Sequence, residues 1–432
     1  MRTADLRSLE PSGTDATATR SVAPPAMPVA GAQRTRSGAD DPAQAVADPK
    51  TVFTELCAAL FAFLRRSDQR RKGEDYVRGL LEAPGRKSIR SMAAILGGRG
   101  TAQSLHHFIC SSTWDWVPVR QSLAHYLVDT TPPAAWVLRP MVIPKAGQHS
   151  VGVGKYFSPA DGQMLNAQQA IGLWTASEQF TGPINWRLHL PVAWFEEVQG
   201  DGRAALLAGA GSDQPSDCAI EAYMEAMSDW GLPARPVVVN LETTQTMPVV
   251  RALHSMGSRF VAKIGGNVPL TVDDPALTGY GASTLPARQI MHAARRLRRP
   301  VMWPGQSANG IRGTSLLASV RVREAPTADQ APASIRRGRR LLLWGVAEHG
   351  GSWPGELWLS DLGTTHPAAL LRLSRLSAKV DHDFSTVSEQ VGIRDYVGRS
   401  YAGWHRHITL ASAAHAIAVR SAFSTWPLNR AS

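Results

Sequence analysis

Three features of the sequence predict an α/β protein built on a mixed sheet with helices on its faces. Residues 50–130 carry apolar positions at helical spacing, residues 135–264 pass from strand patterns into an alternation of helix and strand, and residues 373–423 return to helix. Three meandering strands followed by alternating helix and strand is the order of an RNase H-like sheet flanked by helices.

Composition narrows the partners. The chain has 432 residues, enough for one large domain or two to three ordinary ones, and 44% hydrophobic against 19% charged residues makes it globular rather than disordered. The formal net charge is +11. An excess of Lys and Arg favours a polyanionic partner by counterion release. An arginine-rich background composition would give the same figure, and net charge speaks to partners and not to fold. Cys57, Cys110 and Cys218 lie far apart with no Cys-x-x-Cys pair, so neither a zinc ribbon nor a disulfide framework is indicated, and a reducing, cytoplasmic setting fits. No apolar run approaches the roughly 18 residues of a membrane helix. The first residues lack the apolar stretch of a secretory signal.

Taken in order, residues 1–48 are rich in Ala, Pro, Thr, Ser and Gly, lack sustained periodicity and read as a disordered leader. Arg2, Arg7, Arg20, Arg34 and Arg36 could touch DNA there, or the segment is a solvated tail. Phe53, Leu56, Leu60, Phe61 and Leu64 form one amphipathic face, and Tyr76, Val77, Leu80 and Leu81 another. The basic run Arg65, Arg66, Arg70, Arg71, Lys72 separates them. Gly85 breaks the chain before another helical piece, a short helix spans about residues 101–110, and Ser112 or Thr113 can cap a helix with a stripe through Trp116, Val119, Leu123 and Tyr126. The residues up to 132 thus predict a helical bundle with basic loops. His106 and His107 have no carboxylate or Cys at ligand spacing and read as ordinary helix residues.

From 135 the pattern is that of strands. Trp136–Ile143 is an apolar run interrupted by Arg139 and Pro140, and His149–Phe157 and Met164–Ser177 follow around a turn at 159–162. Ile184, Trp186, Leu188 and Leu190 alternate as in a half-buried strand. Asp217–Trp230 reads as a helix, Pro236–Val239 as a short buried strand, Thr243–Met256 as a helix ended by Gly257, and Arg259–Ile264 as a strand. Residues 265–340 read as irregular. They hold two clusters, Arg295, Arg296, Arg298, Arg299 and Arg336, Arg337, Arg339, Arg340, which suit phosphate neutralisation or a solvated loop equally. Leu341–Val346 and Leu357–Leu362 read as strands. Leu373, Leu376, Val380, Phe384 and Val387 give the late helix its apolar stripe, and Gly392 can stop it. A basic, aromatic-punctuated turn over 398–407 then leads into an apolar helix, Ile408–Phe423.

That turn carries a resemblance. Gly398, Arg399, Ser400, Gly403, Trp404, His405, Arg406 and His407 stand in the G-R-S-x-x-G-W-H-R-H spacing of insertion-sequence transposases of the DDE superfamily, in the group numbered 701. R-K-S-I at 86–89, L-x-H-F at 105–108, W-D-W-V-P-V-R at 114–120, S-V-G-V at 150–153 and R-L-H-L-P-x-x-W at 187–194 are similar to that family as well. The resemblance implies a helical, DNA-binding region at 50–132 and a core at 135–264 completed by helices at 366–426. It also implies a β-rich insertion at 265–365, and cutting and joining of DNA by Mg²⁺-dependent phosphoryl transfer. Such chemistry uses two Mg²⁺ ions about 4 Å apart, held by hard, charged oxygen ligands. The family supplies an Asp at the end of the first strand, an Asp after the fourth and a Glu on the late helix.

Each of those positions can be read here. The family's D-D-T-G-F-P-K-x-G runs alongside residues 139–147, so Lys145 and Gly147 match while Arg139 and Pro140 stand where the Asp residues belong. Asn240 follows Val237–Val239 at the second position, and Asp381 replaces the Glu. Asn240 offers a carbonyl oxygen and no charge. Arg139 brings a cation toward a cation site, a repulsion on the order of several kcal/mol at intermediate dielectric. Glu242 could substitute as a ligand if the strand continues past Asn240, whereas Asp383 should point about 200° away from Asp381 on a helix. The expectation is a transposase-like scaffold with its chemistry impaired. Mg²⁺ would then be bound in the resembled family and not here, with DNA (transposon ends) as partner and a homodimer as an open arrangement. Lys145, Arg399, His405, Arg406 and His407 are the expected phosphate contacts, with Trp404 stacking on a base or packing. Helix capping and core packing are the alternative for residues 404–407. A domesticated or decaying non-enzymatic DNA-binding protein or repressor is the alternative for the chain, and an active nuclease using Glu242 is a third reading.

Overall fold

Helices α1 (Pro49–Phe61), α2 (Ser67–Glu82), α3 (Ile89–Leu96), α4 (Arg99–Cys110) and α5 (Trp116–Thr130) open the computed structural model. It describes residues 48–158, 162–191, 194, 214–280, 284–303, 313–325, 340–348 and 350–421. The leader to residue 47, with its five arginines, the turn at 159–161, Arg336, Arg337 and Arg339, and the end of the last expected helix lie outside the described residues. The helical starts follow local chemistry. Asp48 caps α1 by accepting from Thr51 N–H. Asp115, rather than Ser112 or Thr113, caps α5, accepting from Val117 N–H at 2.9 Å. Helix α5 starts at Trp116, so the two hydroxyl residues stand too far ahead of it to reach its first free N–H groups. Gly97 and Gly98, at φ +132° and +90°, make the turn between α3 and α4.

The sheet begins with β1 (Ala135–Pro144), β2 (Val153–Ser158), β3 (Gln163–Ala176) and β4 (Thr181–Leu188). Then come α6 (Pro215–Met224), β5 (Val237–Val239), α7 (Thr243–Ser255) and β6 (Phe260–Lys263). β4 pairs antiparallel with β3 and β3 with β1, while β1, β5 and β6 run parallel. The order β4-β3-β1-β5-β6 is RNase H-like, and β2 is a further strand on β3. β2 starts at Val153 rather than at the expected His149, because Gly152 at φ +68° sits in a turn.

Residues 265–340 are more regular than expected. They hold β7 (Pro269–Val272), β8 (Thr284–Pro286), α8 (Ala287–Ala293), β9 (Arg299–Trp303) and β10 (Gly313–Glu324). Strands of three to five residues are too short to show periodicity. With β11 (Arg340–Glu348) and β12 (Glu356–Ser360) they extend the same sheet, since β12 pairs antiparallel with β6.

Two helices complete the fold, α9 (Pro367–Asp383) and α10 (Tyr401–Arg420). α10 starts seven residues before the expected Ile408, because Ser400 caps it by accepting from Gly403 N–H at 3.1 Å. It is buried on every side from Gly403 to Ala418, with α1, α2, α4 and α5 on one flank and β4 on the other.

Candidate active site

β1 and β5 lie side by side with Leu138 opposite Val239, and Asn240 N–H donates to Leu138 O at 3.1 Å. Beyond this level β5 turns away and β1 continues beside β3 alone. Backbone groups two residues apart point the same way in a strand. Pro140 therefore turns its nitrogen to the side β5 has vacated, where a missing N–H costs no ladder bond. Arg139 and Asn240 each stand one residue past the last pair of the parallel β1–β5 ladder, at the C-terminal end of that pairing, where open α/β sheets carry their sites. Helix α9 packs on β1, β5 and β6 and brings Asp381 to the same place.

The three side chains meet. Arg139 Nε donates to Asp381 Oδ1 at 2.7 Å, and Asn240 Nδ2 donates to Asp381 Oδ2 at 2.9 Å. Arg139 Nη1 also donates to Pro140 O at 2.7 Å, and its guanidinium lies 3.6 Å from the centroid of the Phe384 ring. Phe384 opens a π-helical turn, Phe384–Ser388, directly after α9. Burial lowers the Arg139 pKa while Asp381 opposes that shift, and an arginine so paired keeps its charge. The Asp381 side chain is 44% exposed, so the ion pair itself contributes about 1 kcal/mol at most. Its larger effect is on occupancy, because both carboxylate oxygens are taken by donors.

A family model for DDE superfamily endonucleases matches residues 59–327, more than half of the chain and inclusive of Arg139 and Asn240. The chain belongs to the DDE superfamily endonucleases. No curated protein matches it.

Members of this family generally use a divalent metal. The donor set of this DDE protein does not fit one. A dimetal centre wants several anionic oxygens, and here one carboxylate faces a guanidinium and an amide N–H. Among the described residues no three His, Cys, Asp or Glu side chains gather to hold a metal ion. Glu242 has a partner of its own. β5 ends at Val239, so the strand does not continue past Asn240, and Glu242 precedes α7 as its N-cap residue. Its Oε1 accepts from Tyr156 Oη at 2.7 Å. Burial and that carboxylate push the Tyr156 hydroxyl up to about 12. Asp383 is buried on the other side of α9, accepting from Thr181 Oγ1 at 2.7 Å and Lys379 Nζ at 3.1 Å.

The residues expected to contact phosphate divide. Arg399 is exposed. Lys145 is half-buried, donates to Tyr396 O at 2.8 Å, and is lowered to about 8 by burial and the nearby Arg86. Trp404, His405 and His407 are 1% exposed and Arg406 6%, which corrects their assignment to DNA. Arg406 donates to Trp114 O at 3.0 Å and Ile109 O at 3.1 Å, satisfying carbonyls in and after the end of α4. His407 lies between Tyr76 Oη, 2.9 Å from Nδ1, and Gly392 O, 3.0 Å from Nε2. His405 stacks on Trp116, with ring centroids 5.0 Å apart. A Cβ on Gly398 or Gly403 would strike the Tyr396 hydroxyl. The signature segment is thus a packing device.

Sequence reasoning missed Arg120. This buried guanidinium donates to Thr409 Oγ1, Asn185 Oδ1, Trp186 O and His405 O, tying α5 to β4 and α10. Burial lowers it to about 10, and Glu225 acts against that shift. A charge next to Val119 on the buried stripe of α5 was the available signal.

Proposed function

We propose that this chain is a transposase-like DNA-binding protein of an insertion sequence, of the 701 group, whose phosphoryl-transfer chemistry is disabled. The carrying observation is the contact of Arg139 and Asn240 with the two oxygens of Asp381. The reaction class depends on metal-bound oxygens. A guanidinium neutralises the one remaining carboxylate without offering a coordination position. In this reading residues 50–132 bind DNA, residues 135–264 and 366–426 form the catalytic-type core, and residues 265–365 are an insertion.

Charge supports the DNA part. Between Glu82 and Asp115 the chain has no carboxylate, and Arg86, Arg90 and Arg99 are exposed there. Helix α4 buries Leu105, Phe108 and Ile109 and turns Arg99, Gln103, His106 and His107 outward. Those four fall on one face at helical spacing. Arg399 and Lys145 add cations near the end of β1.

A plasmid-nicking assay with Mg²⁺ or Mn²⁺ tests the chemistry. Wild type should match the metal-free control, and Asp381→Ala and Glu242→Ala should change nothing. Metal-dependent nicking that Asp381→Ala or Glu242→Ala removes would show an active nuclease. A gel shift at low salt tests binding, and a chain that leaves duplex DNA unshifted is not a DNA-binding protein.

A further inference from the structure

Between Asp274 and Glu324 the sequence has eight arginines and no carboxylate. Four of them, Arg295, Arg296, Arg298 and Arg299, fall in the short turn after α8 and the first residue of β9, and all four are exposed. Their surroundings make them unusual. Neighbouring arginines are matched with carboxylates: on the same sheet Arg321 with Asp274 at 3.5 Å, Arg323 with Asp273 at 2.9 Å and Arg340 with Asp273 at 3.3 Å, and on α7 Arg251 with Glu324 at 2.5 Å. Among the described residues no ion pair reaches the four in the turn.

The turn is also held in place. Ile290, Met291 and Ala294 are buried beneath it. Arg298 Nε donates to Arg295 O at 2.7 Å, and its guanidinium lies 5.3 Å from the Trp353 ring centroid. Trp353 Nε1 in turn donates to Met291 O at 2.8 Å. β9 then runs to Trp303, whose ring centroid is 3.2 Å from the guanidinium carbon of Arg375 on α9. The backbone that carries these like charges is thus anchored, and β9 joins it through Trp303 to the helix that bears Asp381.

We propose that this arginine turn seats on the phosphate backbone of duplex DNA. It would give the insertion a contact surface of its own that fixes position and reads no bases. The inference rests on the DNA-binding reading above. Like charges held together repel unless an opposite charge sits on them, and a guanidinium fork fits a phosphate bidentately. Five consecutive residues span no more than about 14 Å between their ends. Over that axial length one DNA strand presents about four phosphates, at roughly 3.4 Å each.

The test uses the full chain and a fluorescent duplex of arbitrary sequence, titrated at several salt concentrations. In Arg295→Ala/Arg296→Ala/Arg299→Ala the plot of log K against log salt should be shallower than wild type by about 2.7, three contacts at about 0.9 each. The triple Arg→Lys variant should keep most of the slope, and the triple Arg→Gln variant should behave as the alanine one. Arg298 is left in place because it stacks on Trp353. Wild-type binding with an unchanged slope in both neutral variants would overturn the arginine turn and leave the DNA reading standing. Wild type that binds no duplex at low salt would overturn both. Variants that lose an RNA hairpin while keeping duplex DNA would overturn the DNA assignment of this surface.

Discussion

Arg139 supplies the charge of a cation without the vacant coordination sites of one. Two changes should reverse this. Arg139→Asp with Asn240→Asp would gather three carboxylates at one point, where they repel until a cation arrives. We expect this double variant to melt lower than wild type in chelator, to regain that loss with Mn²⁺, and to bind Mn²⁺ by calorimetry, while wild type shows no metal effect. At the same scale, His407 and His415 are buried and lowered to about 4. Their unfolded-state value lies near 6.5, so the unfolded chain takes up protons first as pH falls. Stability should be complete above about pH 6.5 and decline toward pH 4, by up to about 1.4 kcal/mol per pH unit for each histidine. Urea unfolding across that range checks it, and a flat profile would mean that the two rings are not held neutral. The identities at positions 139, 240 and 381 were legible in the sequence. The fate of His405, Arg406 and His407 was not, since the same side chains serve phosphate binding or packing and only their neighbours decide which.

Among the elements, α10 shows how a helix with one arginine and three histidines in its buried stretch can lie in the core. Each of these side chains has a hydrogen-bonding partner contributed by another element or turn, and Arg120 of α5 is the largest contributor. Arg120→Met should destabilise the protein by about 3 kcal/mol, because it strands several buried acceptors at once. Arg120→Lys should recover little, as one ammonium cannot span that fork of partners. Denaturant midpoints measure both, and a neutral Arg120→Met would mean that water or repacking replaces the network. Elements with a long regular pattern, such as α2, α7 and α9, were legible in the sequence. β7, β8 and β9 were not, because short strands are specified by pairing with β10 and with each other rather than by their own periodicity.

For the whole molecule, one sheet carries both the core strands and the insertion, and basic surface occurs on the helical bundle and on the turn before β9. If both meet phosphates, duplex affinity should fall by about a thousandfold or more between roughly 50 and 200 mM salt. Anisotropy titrations measure this, and a salt-independent affinity would contradict an electrostatic interface. The sequence by itself determined the class of scaffold and which residues stand at positions 139, 240 and 381, because pattern and residue identity are local properties. Tertiary structure alone decided that Arg139 closes on Asp381, 242 positions away, and that the signature histidines face inward. Those outcomes depend on which distant atoms are packed within hydrogen-bonding reach, and no local pattern encodes that distance.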